Sequence, residues 1–188
     1  AEFNATTLPL VYSDTLWESS IPPEALSLTR PDTSRFELEG EYTAFPHLAR
    51  DLVDAADPGE LNHWRWQYTP FPDRAVVSLA TEAIQELQLG QRGSLDYLGI
   101  ALSQTDGVGH LFGPLSREQL DNLLRLDREL ERFFTLLDEA VGPGRWVLAL
   151  SADHGVLDMP GHLVESGVDA AKLTAGDRRG LRERGQGA

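Results

Sequence analysis

Two short motifs carry the side chains best suited to chemistry: Asp106-Gly107-Val108-Gly109-His110 and Asp153-His154-Gly155. Asp and His form a donor pair that suits zinc where no thiolate is at hand, and the chain has no cysteine. Gly107 and Gly109 permit a tight loop that would bring Asp106 and His110 to one cation. Asp153 and His154 are neighbours; on a strand they would face opposite sides, and Gly155 permits a turn that redirects them. Either motif alone is weak, because an Asp-x-x-x-His or an Asp-His-Gly often arises by chance. Their placement is what gives them weight.

Each motif directly follows an apolar run with the composition of a buried strand, residues 95–103 (LDYLGIALS) and 146–152 (WVLALSA). Between them the pattern predicts a helix over 116–140. Ser116 with Gln119 fits a capping box. Leu120, Leu123, Leu126, Leu130, Phe133, Leu137 and Val141 form a continuous apolar stripe, and Gly142-Pro143-Gly144 ends it. Arg125, Asp127, Arg128, Glu129, Glu131 and Arg132 read as solvated faces of that helix. The expectation is a β-α-β unit of two parallel strands with a right-handed crossover. Sites in such sheets lie at the carboxyl ends of strands, so the two Asp/His pairs should converge in one cleft.

Upstream, Asp73 can cap a helix running to Leu89, with Val76, Val77, Ala80, Ala83, Ile84 and Leu87 inward. Three segments follow from the composition: a loop-rich insertion or cap over 1–68, an α/β metal-binding core over 69–156, and a short helix with a disordered tail over 157–188. A short helix is expected from Leu48 to Ala56. Trp17, Trp64, Trp66 and Tyr68 read as packing residues, with a substrate cleft as the other use. The net charge of −14 argues against a nucleic-acid partner, which needs a basic footprint. It does not oppose phosphate binding, since bound metal would set the local sign. No apolar stretch is long enough for a membrane span.

Thr105-Asp106-x-x-Gly109-His110, Phe112-Gly113-Pro114, Arg125-Leu126-Asp127 and Ala152-Asp153-His154-Gly155 together resemble the alkaline phosphatase superfamily. The branch they resemble is that of type I phosphodiesterases and nucleotide pyrophosphatases, which includes bacterial phosphate-irrepressible alkaline phosphatases. The resemblance is specific over about 69–157 and weaker upstream, at Phe45-Pro46-His47 and at Phe3-Asn4-Ala5 with Trp17. It implies an α/β fold: a partial alkaline-phosphatase-like parallel sheet flanked by helices, with a loop-rich insertion. It also implies hydrolysis of a small-molecule phosphate ester at two zinc ions, through a phosphorylated Thr or Ser, in a periplasmic or secreted enzyme. By motif, Asp106 and His110 resemble ligands of one zinc, and Asp153 and His154 those of the other.

The family nucleophile lies upstream, after an earlier strand, and nothing in 1–68 matches it. The third ligand of the first zinc is a His far downstream, and His162 comes too early for it. Thr105 does not hold the nucleophile's place in the motif, and His47 and His63 read as surface or packing residues. The expectation is a middle-to-late portion of a larger enzyme, carrying four metal ligands without the nucleophile. On its own, such a chain is expected to be inactive. Two other readings stand beside the phosphatase. One is a phosphodiesterase, nucleotide pyrophosphatase or sulfatase of the same superfamily. The other is an inactive metal-binding or structural domain.

Overall fold

The predicted long helix forms with its expected cap. In a computed structural model, residues 3, 16–40, 43–48 and 68–171 are described. β1 (Leu16–Trp17) pairs antiparallel with β2 (His47–Leu48), with Trp17 opposite His47. Short 3-10 helices span Pro23–Leu28 and Glu37–Gly40. Four α-helices follow: α1 (Phe71–Glu86), α2 (Gln104–Phe112), α3 (Arg117–Ala140) and α4 (Pro160–Glu165). The chain divides into two compact units, Ala1–Val156 and Leu157–Ala188. Within the second, α4 buries His162, whose Nδ1 lies 3.6 Å from Glu165.

At the start of α3 the Ser116 hydroxyl accepts from the Gln119 amide at 3.0 Å, satisfying one of the otherwise unpaired N–H groups of the first turn. The reciprocal half of the predicted box is replaced by a longer contact, as the Gln119 side chain donates to the Thr105 carbonyl on α2. The apolar stripe buries fully only toward the far end, at Phe133 and at Val141 beyond the last turn. There it meets Val77, Ala80 and Ile84 of α1. Leu123 is exposed, and the near end of α3 buries Glu118, Gln119, Asp121 and Asn122 instead.

A second core gathers Trp17, Phe71, Val108 and Phe112, with Phe45 and Leu111 against it. Trp17 is therefore a core residue and lines no cleft. Its ring stands edge-on to Phe112 at 5.9 Å and to Phe45 at 5.4 Å. His47 sits in the same aromatic group and is buried, its Nε2 2.7 Å from Glu118. Of its two expected roles, the packing one holds.

Three expectations need correction. Residues 95–103 and 146–152 do not pair as parallel strands; among the described residues the sheet is the two-stranded β1–β2 ladder. Leu95 is 100% and Val147 96% exposed, while Ile100 and Leu102 of the first run pack against the Phe133 core. Both runs border an apolar groove of about 580 Å³ that reaches Ile84, Phe133 and Leu137. β-rich apolar sequence becomes a strand only when partner backbone completes its hydrogen bonds, and no described segment offers that backbone. Second, α1 begins at Phe71 and ends at Glu86, and Asp73 does not cap it. Third, Leu87 lies beyond α1 and is exposed, outside the inward set. The expected helix over 48–56 and the roles of Trp64, Trp66 and His63 fall outside the described residues, apart from Leu48, which is in β2.

The 3-10 helix at Glu37 packs against α2 and carries a carboxyl group that is 1% exposed. Burial first, then the nearby Glu118 and Asp32 charges, push Glu37 up to about 8 from an ordinary 4.5. Burial likewise raises Glu118, opposed chiefly by its hydrogen bond with His47. A raised carboxyl pKa means that the folded chain holds a proton the unfolded chain has already lost. For Glu37, stability therefore falls as pH rises from about 4.5 to about 8, and the loss is complete above that. Glu37→Gln should stabilise the chain at pH 9 and flatten its thermal midpoint between pH 5 and 9. Calorimetric scans across that range check this, and an unchanged pH profile in the variant would contradict it.

Candidate metal centre

Asp106 and His110 are presented by a helix, where the glycines had predicted a loop. α2 runs through both, so their spacing of four places them on one face, a turn apart. Glycine weakens a helix by roughly 1 kcal/mol relative to alanine, yet Gly107 and Gly109 are both helical here. Both are buried, and a Cβ on Gly109 would come within 3.7 Å of Gln119 Nε2. The buried side of α2 is Gly107, Val108, Gly109 and Phe112, which leaves Asp106 and His110 on the open side. Gly113 ends the helix at φ 92°, in the left-handed region that favours glycine.

The N-terminus of α2 is held from a distance. Its own N-cap, Ser103, makes no side-chain capping bond. Asp73 on α1 accepts instead from the Ser103 and Gln104 amides, at 3.0 and 3.2 Å. Burial raises the Asp73 pKa, and these two backbone donors oppose the rise. Gln119 and Asn122 on α3 complete the support: Gln119 donates to the Thr105 carbonyl and Asn122 to the Thr105 hydroxyl, at 2.9 and 3.3 Å. Sequence reading missed all three. For Gln119 and Asn122 a signal existed, two amides one turn apart beside the apolar stripe. For Asp73 the signal pointed to the wrong helix. Asp73→Ala should cost about 1–3 kcal/mol, because the buried Gln104 amide and the part-buried Ser103 amide lose their acceptor, while Asp73→Asn should cost less. Urea unfolding of both variants checks the order.

The second motif reaches the first. His154 Nε2 lies 3.7 Å from Asp106 Oδ1 and 3.6 Å from Asp153 Oδ2, and His110 Nε2 lies 3.3 Å from the same Asp106 oxygen. The four side chains thus gather around Asp106, all in solvent contact. His154 Nδ1 is 3.0 Å from the Gly155 carbonyl, which can only accept, so that nitrogen carries the proton. In the neutral ring this leaves the Nε2 lone pair directed toward Asp106. The Gly155 carbonyl, then Asp153, raise the His154 pKa.

The donor types fit zinc, and a backbone carbonyl fixing the tautomer of a ligating His is the usual outer support of such a ligand. In number the set falls short. Among the described residues no three His, Cys, Asp or Glu side chains are arranged to hold a metal ion.

The chain is similar to known alkaline phosphatases. The chain is 38% identical over 165 residues to an alkaline phosphatase, PhoV, of Synechococcus elongatus, which covers 86% of the chain and 29% of that protein. It is 34% identical over 165 residues to alkaline phosphatase PafA of Elizabethkingia meningoseptica, with the same coverage of each. The crystal structure of wild-type PafA superposes with a TM-score of 0.76 at 32% identity, over 89% of this chain and 32% of that one. A PafA variant with several substitutions gives 0.79 at 30% identity, over 97% and 35%. The fold class is therefore α/β, that of PafA, and the chain spans less than a third of the length of these curated relatives. The model of type I phosphodiesterases and nucleotide pyrophosphatases matches residues 15–177, and the chain belongs to that family.

Proposed function

We propose that this chain is the metal-binding portion of a zinc-dependent phosphatase that hydrolyses small-molecule phosphate monoesters. The observation that carries the reading is the meeting of two Asp/His motifs at one carboxylate, Asp106. Asp106 and His110 would hold one zinc, and Asp153 and His154 the other. Such ions would supply positive charge that stabilises the phosphoryl oxygens during ester cleavage. The chain's own contribution is positional. Asp73, Gln119 and Asn122 fix the first turn of α2 and so the direction of Asp106. The Gly155 carbonyl fixes the ring of His154.

The nucleophile, a Thr or Ser that takes the phosphoryl group, and the remaining ligand of each zinc would lie in the rest of a family-length enzyme, which we place in the periplasm or outside the cell. Among the described residues no helix is long and apolar enough to cross a membrane. Phosphodiester and sulfate-ester substrates are the alternatives within this site chemistry. An inactive metal-binding or structural domain is the alternative outside it.

With two ligands per ion where a catalytic zinc has three, the 188 residues should bind zinc weakly, and Asp106→Ala should remove most of that binding. Calorimetric titration with zinc checks this. Equal affinity in the chain and in the variant would overturn the site.

A further inference from the structure

α1 and α3 enclose a groove of about 220 Å³ whose walls carry four guanidinium groups, Arg74 from α1 and Arg125, Arg128 and Arg132 from α3. In a chain with a net charge of −14 and one lysine this is a local reversal of sign. The three α3 arginines follow one another at helical spacing of three and four, so they line one wall over roughly 10 Å.

Two of them meet carboxylates, Arg125 with Asp121 and Arg132 with Glu129, and Arg128 meets none among the described residues. Asp73, in the groove wall, is engaged with the backbone amides of Ser103 and Gln104. Asp121, beneath Arg125, already accepts from Trp17, twice from Ser20 and from Arg125 Nε. Glu129 is the remaining acid of the lining and pairs with Arg132 at 2.8 Å. Arg125 donates also to the Glu18 carbonyl, and Arg128 to the Ser20 hydroxyl. Among the described residues these bonds leave most N–H donors of Arg128 and Arg132 to the groove and solvent, while the Asp121 and Glu18 contacts hold the Arg125 plane in place.

We infer that this groove binds an anion carrying two or more linked phosphoryl groups, separately from the Asp106 cluster. Guanidinium forks match tetrahedral oxyanions with paired hydrogen bonds. A row of them longer than one phosphoryl group favours a phosphoanhydride chain over a single phosphate.

The test is calorimetric titration of the chain with inorganic pyrophosphate, tripolyphosphate, phosphate and sulfate. Ionic strength is held constant and EDTA is present, so that metal-held phosphate does not contribute. Tripolyphosphate should bind most tightly and sulfate least, and affinity should fall with added salt. Replacing two charged donors by Arg128→Gln with Arg132→Gln should weaken tripolyphosphate roughly tenfold or more. Both residues are exposed, so the thermal midpoint should stay near that of the parent, and Arg128→Lys should retain part of the affinity. Asp106→Asn should bind tripolyphosphate as the parent does, which separates this groove from the proposed metal centre. No binding by the parent, equal binding by the double variant, or loss of binding in Asp106→Asn would each overturn the assignment.

Discussion

Asp121→Ala is expected to remove about 3–5 kcal/mol of stability, the scale for breaking a buried charge pair by deleting one partner. Whole domains are stable by only about 5–15 kcal/mol, so this single change should bring the chain close to unfolding. The Asp121 carboxylate is fully buried and accepts at 2.6 Å from Trp17 Nε1, 2.6 and 2.7 Å from the Ser20 amide and hydroxyl, and 2.6 Å from Arg125 Nε. Those bonds tie segment 16–20 to α3 across about a hundred residues of chain. Alanine leaves the buried Trp17 indole N–H, the Ser20 amide and the Arg125 Nε–H without this acceptor. Asp121→Asn should fare little better. Either orientation of the amide sets its NH₂ against groups that can only donate, since Trp17 and Arg125 meet one oxygen and the Ser20 amide the other. Denaturant unfolding decides, and a cost below about 1 kcal/mol for alanine would show that water replaces the carboxylate.

Asp106→Ala should do the reverse. Asp106 is half exposed, and two imidazoles, those of His110 and His154, are its ion-pairing neighbours among the described residues. Surface substitutions away from caps and cores usually change stability by no more than about 0.5 kcal/mol. Yet Asp106 is the group that both motifs approach. In a family-length enzyme containing this stretch, its loss should abolish phosphate-ester hydrolysis while leaving the unfolding midpoint in place. His110→Ala and Asp153→Ala should behave alike. The contrast with Asp121 is itself a check, because a site residue and a scaffold residue should separate cleanly on plots of activity against stability. Loss of fold in Asp106→Ala would mean that the carboxylate is structural.

Local rules carried part of this into the sequence. The cap at Ser116, the stop at Gly142 and the helical period between them are each set by residues a turn or two apart, and α3 follows them. The two motifs were legible as donor types at set spacing, although not the helix beneath the first. Gly107 and Gly109 argue for a loop by propensity, yet α2 runs through both, its first turn held by Asp73 and Gln119 from other helices. Asp73 shows the same limit: it is a helix cap, for a helix thirty residues further on. Nothing nearby in sequence marks Glu118 and Asp121 as buried, because their partners, His47, Trp17 and Ser20, are remote. The runs at 95–103 and 146–152 have strand composition, but a strand is a property of a pair, and no described segment supplies the partner.

The most direct test of the zinc phosphatase reading is para-nitrophenyl phosphate hydrolysis under matched zinc. It should compare the purified 188-residue chain, a family-length enzyme containing it, and that enzyme with Asp106→Ala. The expected result is zinc-dependent turnover, lost with chelator, by the longer enzyme alone, and none above background from the chain or the variant. Robust, chelator-sensitive turnover by the 188 residues would contradict the placement of the nucleophile outside them. It would turn attention to Thr105, whose hydroxyl now accepts from Asn122 beside Asp106. Full activity of the longer enzyme without Asp106 would contradict the metal centre itself.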